Sequence, residues 1–230
     1  MQPLRRTTSA DVDRLIEAVL HDVRTPLAAA TGYLRLIREG RVAPGEQSTH
    51  VLEQAQASLR SIAVLCANAD VCRRTDDGAK RMSVPAARMV DALVGAVAAH
   101  DLVPDTGTWP ATATVEVCGD WSELCHLLGH ALGVVARPRK NDAAGTISIV
   151  NEGGVFTVSA ALPVRYANVP LSAFDPWAYP GLTVAAGLHV LELAGGRWTF
   201  DTQNRALRAE LEMADLGSLQ LPVADGRDTR

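Results

Sequence analysis

A histidine followed at once by an aspartate begins the segment His21-Asp22-Val23-Arg24-Thr25-Pro26. A neutral imidazole nitrogen is a nucleophile that can approach a phosphorus atom in line. Asp22 can hold the proton of the other ring nitrogen, which fixes the tautomer and makes the attacking nitrogen more basic. Thr25 lies one turn further along a helix, where its hydroxyl could orient a water molecule. These three side chains predict phosphoryl chemistry centred on His21.

Two other residues of the segment shape the surroundings of the histidine. Arg24 supplies a positive charge that would attract a phosphoryl group. Pro26 lacks an N–H, so the carbonyl of Asp22 loses its helical partner and the helix bends beside His21. The competing interpretation is an exposed histidine in a helix that happens to contain a proline, and for a lone histidine it would be the better one.

The apolar residues around this segment recur at intervals of three and four, which is typical of a long helix with one buried stripe, here from Asp11 to Glu39. The stripe comprises Ile16, Val19, Val23, Leu27, Ala30, Leu34 and Ile37. At about 100° per residue, His21 lies about 200° from Val19 and about 160° from Val23. We therefore expect the histidine to face solvent.

A second helical stripe follows a break at Gly40 to Gly45. It comprises Leu52, Ala55, Leu59, Ile62, Cys66 and Ala69. The two stripes and the break predict a helical hairpin. Because two helices alone leave much of their apolar surface in water, we expect two copies to pair into a dimeric four-helix bundle.

The rest of the chain mixes helical and strand patterns after a polar linker, Thr75-Asp76-Asp77-Gly78. Helices are predicted at 86–99, 121–135 and 182–193, and strands at 112–117, 146–150, 155–160, 197–202 and 206–213. Helices that cover one face of a mixed sheet form an α+β sandwich. The predicted domains are a hairpin over residues 1–77, a sandwich over 78–216 and a loose tail over 217–230.

The stretch from Val19 to Ile37, with H-D-V-R-T-P-L followed by Gly32-Tyr33, resembles the H-box of bacterial sensor histidine kinases of the HisKA type. The order of hairpin, linker and sandwich is similar to that family's dimerisation and phosphotransfer domain followed by its ATPase-type domain. The resemblance spans most of the chain. It implies that His21 is the phosphoacceptor, that Asp22 assists transfer, and that Thr25 supports phosphatase activity toward a response regulator.

The second half is similar to the family's ATP-binding domain in outline. The similar segments are Gly119-Asp120 before a helix, Phe174-Asp175-Pro176-Trp177 in place of the F-box, Gly181-Leu182, and Leu193-Ala194-Gly195-Gly196. These segments follow one another in the same order as the corresponding motifs of the family. Gly195-Gly196 is better explained as a helix stop than as a phosphate cradle.

The nucleotide-binding residues of that domain do not carry over. His126 and His130 stand where the family has asparagines that help to bind Mg²⁺, and Ser159-Ala160-Ala161-Leu162-Pro163 replaces a segment with an adenine-binding aspartate and glycines. The next glycine motif keeps only Gly181, and the segment between Pro163 and Pro180 is short for an ATP lid. Because these losses agree with one another, we expect neither ATP nor Mg²⁺ to bind here.

A metal site at the two histidines is geometrically possible, because His126 and His130 lie four residues apart near Asp120 and Glu123. Two histidines without a placed third ligand more often pack or face solvent. We therefore expect no metal and no cofactor, and any Mg²⁺ needed for transfer would come with the receiver partner.

Composition narrows the possible partners and locations. With 22 Lys and Arg against 26 Asp and Glu, the net charge of -4 provides no basic field for nucleic acid or for an anionic membrane. No apolar run reaches the roughly 18 residues of a membrane span, and we expect a cytoplasmic protein. Aromatic residues make up 4% of the chain, which predicts a core of Ala, Leu and Val.

The cysteines show no C-x-x-C spacing. They are Cys66, Cys72, Cys118 and Cys125, and the first three lie in or beside apolar stretches. We expect buried or inert thiols.

Three functions fit these features. In the first, a phosphorelay protein takes a phosphoryl group from the aspartate of one receiver domain onto His21 and passes it to another, without using ATP. The second is an ATP-dependent histidine kinase with a divergent nucleotide site. The third is a non-catalytic pseudokinase scaffold that binds a response regulator.

The receiver is expected to dock beside His21, on the face around Arg24, Ala28 and Tyr33 and on part of the second helix. We expect no sensory segment before Asp11, so the input would come through another protein, for example an upstream hybrid histidine kinase, or through regulated abundance of this one.

Overall fold

The computed structural model describes residues 9–75, 78–137, 145–162, 181–201 and 203–214, with side chains from residue 13 onward. The helices are α1 (Ser9–Arg38), α2 (Glu46–Cys72), α3 (Ala86–Ala98), α4 (Trp121–Ala136) and α5 (Leu182–Leu193). The strands are β1 (Arg81–Pro85), β2 (Asp105–Thr106), β3 (Thr114–Cys118), β4 (Ile147–Glu152), β5 (Val155–Ala161), β6 (Arg197–Asp201) and β7 (Ala206–Glu212). Below, α1 and α2 are called the hairpin, and the other elements the sandwich.

The hairpin turns where the glycines break the apolar pattern. The N–H of Gly40 donates to the carbonyl of Ile37, and the N–H of Arg41 donates to the carbonyl of Leu36. This pair of bonds is a Schellman motif, and Gly40 has the left-handed conformation that it requires, with φ 63°. The turn lets α2 run back along α1, so the predicted hairpin is confirmed.

The sandwich contains two sheets. A five-stranded sheet has the order β2-β4-β5-β7-β6, in which β2 pairs parallel to β4 and the other pairs are antiparallel. The strands β1 and β3 form a separate antiparallel pair. Helix α4 packs between α3 and α5, and both α4 and α5 contact the larger sheet. The α+β class predicted from the sequence is confirmed.

The core consists mainly of small and aliphatic side chains, as the low aromatic content predicts. Along β7, Leu207, Ala209 and Leu211 are buried in strict alternation, which is typical of a strand with one face on the core. Phe156 on β5 is fully buried and packs against Trp109, with ring centroids 5.0 Å apart. Leu15 on α1 and Val71 on α2 join the same buried cluster, so the hairpin packs onto the sandwich.

Two strands were not predicted. Strand β1 has only one buried residue, Val84, so it shows no apolar alternation. Strand β2 is two residues long and exposed. Both are formed by pairing with a partner strand rather than by local preference.

Several members of the apolar stripe predicted on each hairpin helix are not covered within a single copy of the chain. Ala30 and Ala55 are buried, but the side chains that remain about half exposed are Ile16, Leu27, Leu34, Leu52 and Leu59. A single pair of helices covers only the facing strip of each helix, so larger side chains at the edges of the stripe stay in solvent.

The cysteines differ in burial. Cys72 and Cys125 are buried, and burial raises the pKa of each thiol to about 12, with the charge of Asp120 adding to the effect at Cys125. Both thiols therefore stay protonated at neutral pH and are poor nucleophiles. Cys66 is exposed, so its predicted burial is wrong, and Cys118 is half-buried.

Among the described residues, no helix combines the length and the apolar character of a membrane span. Several predicted features lie outside the described residues. They are the F-box-like segment 174–177, the lid segment between Pro163 and Pro180, the centre of the linker at 76–77, and the tail 217–230.

Two mid-helix glycines give a matched stability test. A Cβ on Gly187 would lie 2.7 Å from the carbonyl oxygen of Leu127, whereas a Cβ on Gly95 of α3 would meet open space. Gly187→Ala should lower the free energy of unfolding by about 1–3 kcal/mol through overpacking. Gly95→Ala should raise it by roughly 0.5–1 kcal/mol through helix propensity. Urea unfolding midpoints measure both, and equal shifts of one sign would contradict the helix contact.

Candidate functional site

His21 lies in the middle of α1 with its side chain 83% exposed, as the helical angle predicts. Its Nδ1 is 3.0 Å from Oδ1 of Asp22. Because a carboxylate oxygen accepts hydrogen bonds, Nδ1 is the donor of this pair, and the ring carries its proton there. Nε2 of this exposed ring then carries a free lone pair, which is what a nucleophile needs.

The Asp22 carboxylate has a second partner from a distant part of the chain. Its Oδ2 accepts a hydrogen bond of 2.8 Å from the backbone N–H of Leu182, the first residue of α5. The side chain of Asp22 is only 19% exposed, in contrast to its neighbour His21. Asp22 therefore joins the hairpin to the sandwich at the base of the histidine.

The close approach at this contact depends on a glycine. Gly181 precedes α5 with φ 92°, a conformation that other residues rarely adopt. A Cβ at this position would overlap the carboxylate of Asp22. Sequence reasoning identified Gly181 as the remnant of a glycine motif, but it did not place the residue beside His21.

An open groove of about 630 Å³ brings the three predicted catalytic residues together. It is lined by His21, Asp22, Thr25, Pro26, Ala29, Arg60, Ser61, Val64, Leu65 and Thr183. The residues of α2 and α5 on this list were not singled out from the sequence. The α2 residues follow from the pairing of the hairpin helices, whereas Thr183 could not be found without the tertiary contact.

The residues predicted to bind a partner do not share one surface. Arg24 and Ala28 are exposed on α1 but do not line the groove at His21. Tyr33 is half-buried and lines a separate groove of about 550 Å³ nearer the hairpin turn. Ala29 lines both grooves, so they are neighbours along α1.

The α5 end of the contact is held by a buried amide. Asn68 on α2 is 3% exposed, and its Nδ2 donates to Oγ1 of Thr183 over 3.3 Å. A buried side-chain amide needs such partners, because leaving it unpaired costs about 1–3 kcal/mol. This bond places the first turn of α5 against α2.

The end of α2 provides a further anchor. Nη1 of Arg74 donates to both carboxylate oxygens of Glu123 on α4, at 2.6 and 2.8 Å. The carbonyl of Arg74 accepts a hydrogen bond from Nε2 of His189 on α5. Residues Gly119 and Asp120 lie beside it on a cavity of about 480 Å³. Asp120 caps α4 by accepting from the backbone N–H groups at positions 122 and 123, as its place at the helix start predicts.

The two histidines of α4 have a third histidine beside them, which the sequence did not reveal. Nε2 of His100 lies 2.9 Å from Nδ1 of His130, and the rings of His126 and His130 are in edge contact with centroids 4.5 Å apart. Burial lowers the pKa of His100 and of His130, which favours neutral rings that can share one hydrogen bond. In the part of the chain that the structure describes, no cluster of side chains meets the requirements of a metal site.

Ser159, Ala160 and Ala161, the first residues of the segment predicted to replace an adenine-binding motif, lie at the end of strand β5. Ala160 is fully buried, and the hydroxyl of Ser159 pairs with that of Ser148 on β4 over 2.7 Å. The polar group of this segment is therefore satisfied within the sheet.

Comparisons with known proteins show similarities in the hairpin and in the fold. Residues 11–70 match the family model of the His Kinase A (phospho-acceptor) domain. No curated protein sequence matches the chain. Among solved structures, the Acinetobacter baumannii histidine kinase AdeS is similar with 16% identity and a TM-score of 0.57, over 85% of this chain and 98% of that one.

Two further structures align with lower scores. A bacterial phosphotransferase has 16% identity and a TM-score of 0.44, over 92% of this chain and 100% of that one. A histidine kinase from Burkholderia phymatum STM815 has 14% identity and a TM-score of 0.37, over 89% and 98%. From the family match and the AdeS alignment, we conclude that the chain carries a His Kinase A (phospho-acceptor) domain at residues 11–70, within a fold that it shares with a histidine kinase.

Proposed function

We propose that the protein is a two-component phosphorelay protein in which His21 exchanges a phosphoryl group with the aspartate of a response-regulator receiver domain, without using ATP. The observation that carries the proposal is the exposed ring of His21 with its Nδ1 held by Asp22. An exposed nucleophile suits a reaction with another protein, because the receiver's phosphoaspartate has to reach Nε2 in line.

The transfer step conserves atoms and charge on these residues. The lone pair of Nε2 on His21 forms the N–P bond, while the P–O bond to the receiver aspartate breaks and its electrons leave as carboxylate. The Nδ1 proton stays on the ring, which becomes positively charged. The Asp22 carboxylate at 3.0 Å stabilises that charge, and the reverse step returns the phosphoryl group to a second receiver.

The sandwich supports transfer without nucleotide. The ring of His130 is engaged with His100, and Ser159 is engaged with Ser148, so the polar groups at the two replaced motifs have partners within the chain. The alternatives are an ATP-dependent histidine kinase with a divergent site and a pseudokinase scaffold that binds a response regulator. Both alternatives are compatible with the same fold. In the kinase His21 would be phosphorylated from ATP, and in the scaffold His21 would carry no phosphoryl group.

Thr25 extends the proposal to dephosphorylation. It is exposed and lines the groove with His21, so its hydroxyl can hold a water beside a docked phosphoaspartate. We place the receiver on this groove, against Arg60 and Val64 of α2, with Arg24 and Ala28 at its edge. The Mg²⁺ of the reaction belongs to the receiver.

We also propose that the hairpin pairs with a second copy. Its partly exposed apolar side chains outside the groove at His21 are Ile16, Leu20, Leu27, Leu34, Leu52 and Leu59. The four on α1 fall within about 40° of one another at 100° per residue, so they form one continuous strip. A strip of this length on a two-helix unit is typical of a bundle seam.

Phosphotransfer should depend on His21 and not on another exposed hairpin histidine. His21→Ala should abolish label transfer from a phosphorylated receiver, because the nucleophile is gone. His50→Ala, in the exposed part of α2, should leave transfer unchanged. Autoradiography of both variants measures this, and equal labelling of the wild type and His21→Ala would refute the role of His21.

Direct nucleotide binding separates relay from kinase. A fluorescent ATP analogue with Mg²⁺ should show no saturable binding, and incubation with labelled ATP and Mg²⁺ should leave His21 unlabelled. Label on His21 would support the kinase. A protein that binds receivers but never exchanges label with them would instead be the scaffold.

A charge in the apolar strip should dissociate the dimer. Leu27 is 51% exposed in one copy, so Leu27→Glu would place a carboxylate in the seam and yield a monomer in sedimentation equilibrium. Val103→Glu is the control, since Val103 is 94% exposed and lies outside the hairpin. A monomeric wild type, or a variant that keeps the dimer mass, would contradict the bundle.

A further inference from the structure

We propose that the backbone amide of Leu182, presented by Gly181, is a positioning group for phosphotransfer at His21. Through this amide, the sandwich takes part in the reaction without binding a nucleotide. The inference rests on the proposed function and adds to it a group from outside the phosphoacceptor helices.

The two carboxylate oxygens of Asp22 accept hydrogen bonds from different donors. Oδ1 accepts from Nδ1 of His21 at 3.0 Å, and Oδ2 accepts from Leu182 N–H at 2.8 Å. A carboxylate next to the histidine on the same helix turns about its own side-chain bonds, so the contact to the ring alone does not hold its plane. The second donor fixes the carboxylate, and the carboxylate then fixes the tautomer of His21.

The same hydrogen bond also stabilises the start of helix α5. The first N–H groups of a helix have no intrahelical acceptor, and Gly181 has no side chain to supply one. Asp22 provides the missing acceptor from another helix and places a negative charge at the positive end of the α5 dipole. Asp22 of the hairpin therefore acts as the N-terminal cap of helix α5 in the sandwich.

The position of the amide is fixed by contacts that do not involve His21. Asn68 holds Thr183, the next residue of α5, and His189 donates to the carbonyl of Arg74 further along the same helix. Helix α5 is therefore anchored to α2 at Asn68 and to the residue two positions beyond the end of α2 at Arg74. Its first N–H is presented to α1 at a defined place. This is the property that a positioning group requires.

A glycine pair tests the proposal. In Gly181→Ala the added Cβ overlaps the carboxylate of Asp22 and should displace it. Gly154→Ala is the control, because Gly154 also has a positive φ, 84°, but a Cβ there would meet open space. Alanine at position 154 therefore introduces similar backbone strain without any overlap with another side chain. The rate of phosphoryl transfer from a labelled receiver should fall about tenfold in Gly181→Ala and stay at the wild-type value in Gly154→Ala.

The tautomer of His21 provides a readout that a merely structural role would not change. In ¹⁵N-histidine-labelled protein, the wild type should show a protonated Nδ1 and an unprotonated Nε2 on His21, and Gly181→Ala should shift the ring toward a mixture of both tautomers. A slower transfer with an unchanged tautomer would overturn the proposal. So would wild-type rates and spectra in both variants.

A second substitution removes the N–H alone. Replacing Leu182 by its α-hydroxy acid, through nonsense suppression, exchanges the amide for an ester and deletes the hydrogen bond to Asp22 without adding an atom that could clash. This variant tests the proposal even if Gly181→Ala does not fold. It should slow phosphoryl transfer and shift His21 toward a mixture of tautomers, as expected for Gly181→Ala. If the wild-type protein accepts no phosphoryl group, the proposed function fails, while the tautomer comparison still tests the contact.

Discussion

The carboxylate of Asp22 accepts hydrogen bonds from two donors, the ring of the adjacent His21 and the N–H of Leu182, which lies 160 positions after Asp22 in the chain. This arrangement requires that α5 begin within hydrogen-bonding distance of the middle of α1. It also requires a glycine at position 181, because the Cβ of any other residue would overlap the carboxylate. The docking of the sandwich on the hairpin and the chemistry of the histidine are therefore tied to one side chain.

The sandwich meets this requirement through close helix packing with small residues. A Cβ on Gly129 would meet Ala96 on α3, and a Cβ on Gly187 would meet Ala131 on α4. The three helices can therefore approach one another closely and cover the sheet without many aromatic side chains.

Local patterns account for most of the elements. Helix α5 has the predicted bounds, and the turn at Gly40, the capping of α4 by Asp120 and the exposure of His21 agree with the sequence. These features depend on contacts within one or two helical turns or on the conformational freedom of one glycine. The short strands β1 and β2 were missed because their hydrogen bonds come from partner strands. The leucines of the hairpin stripes are half exposed in one copy, because the apolar period does not say how wide a strip one neighbouring helix covers.

The sequence by itself predicted His21 as the candidate nucleophile with Asp22 beside it. It also determined the side of the helix on which His21 stands, because residues on one helix have relative positions set by the helical repeat. Only the tertiary structure decided that Asp22 caps α5, that Thr183 lines the groove, that Tyr33 lies in a different groove, and that His100 joins His130. Each of these contacts joins residues on different elements. Their distances follow from how whole helices pack, and spacing along the chain contains no information about them.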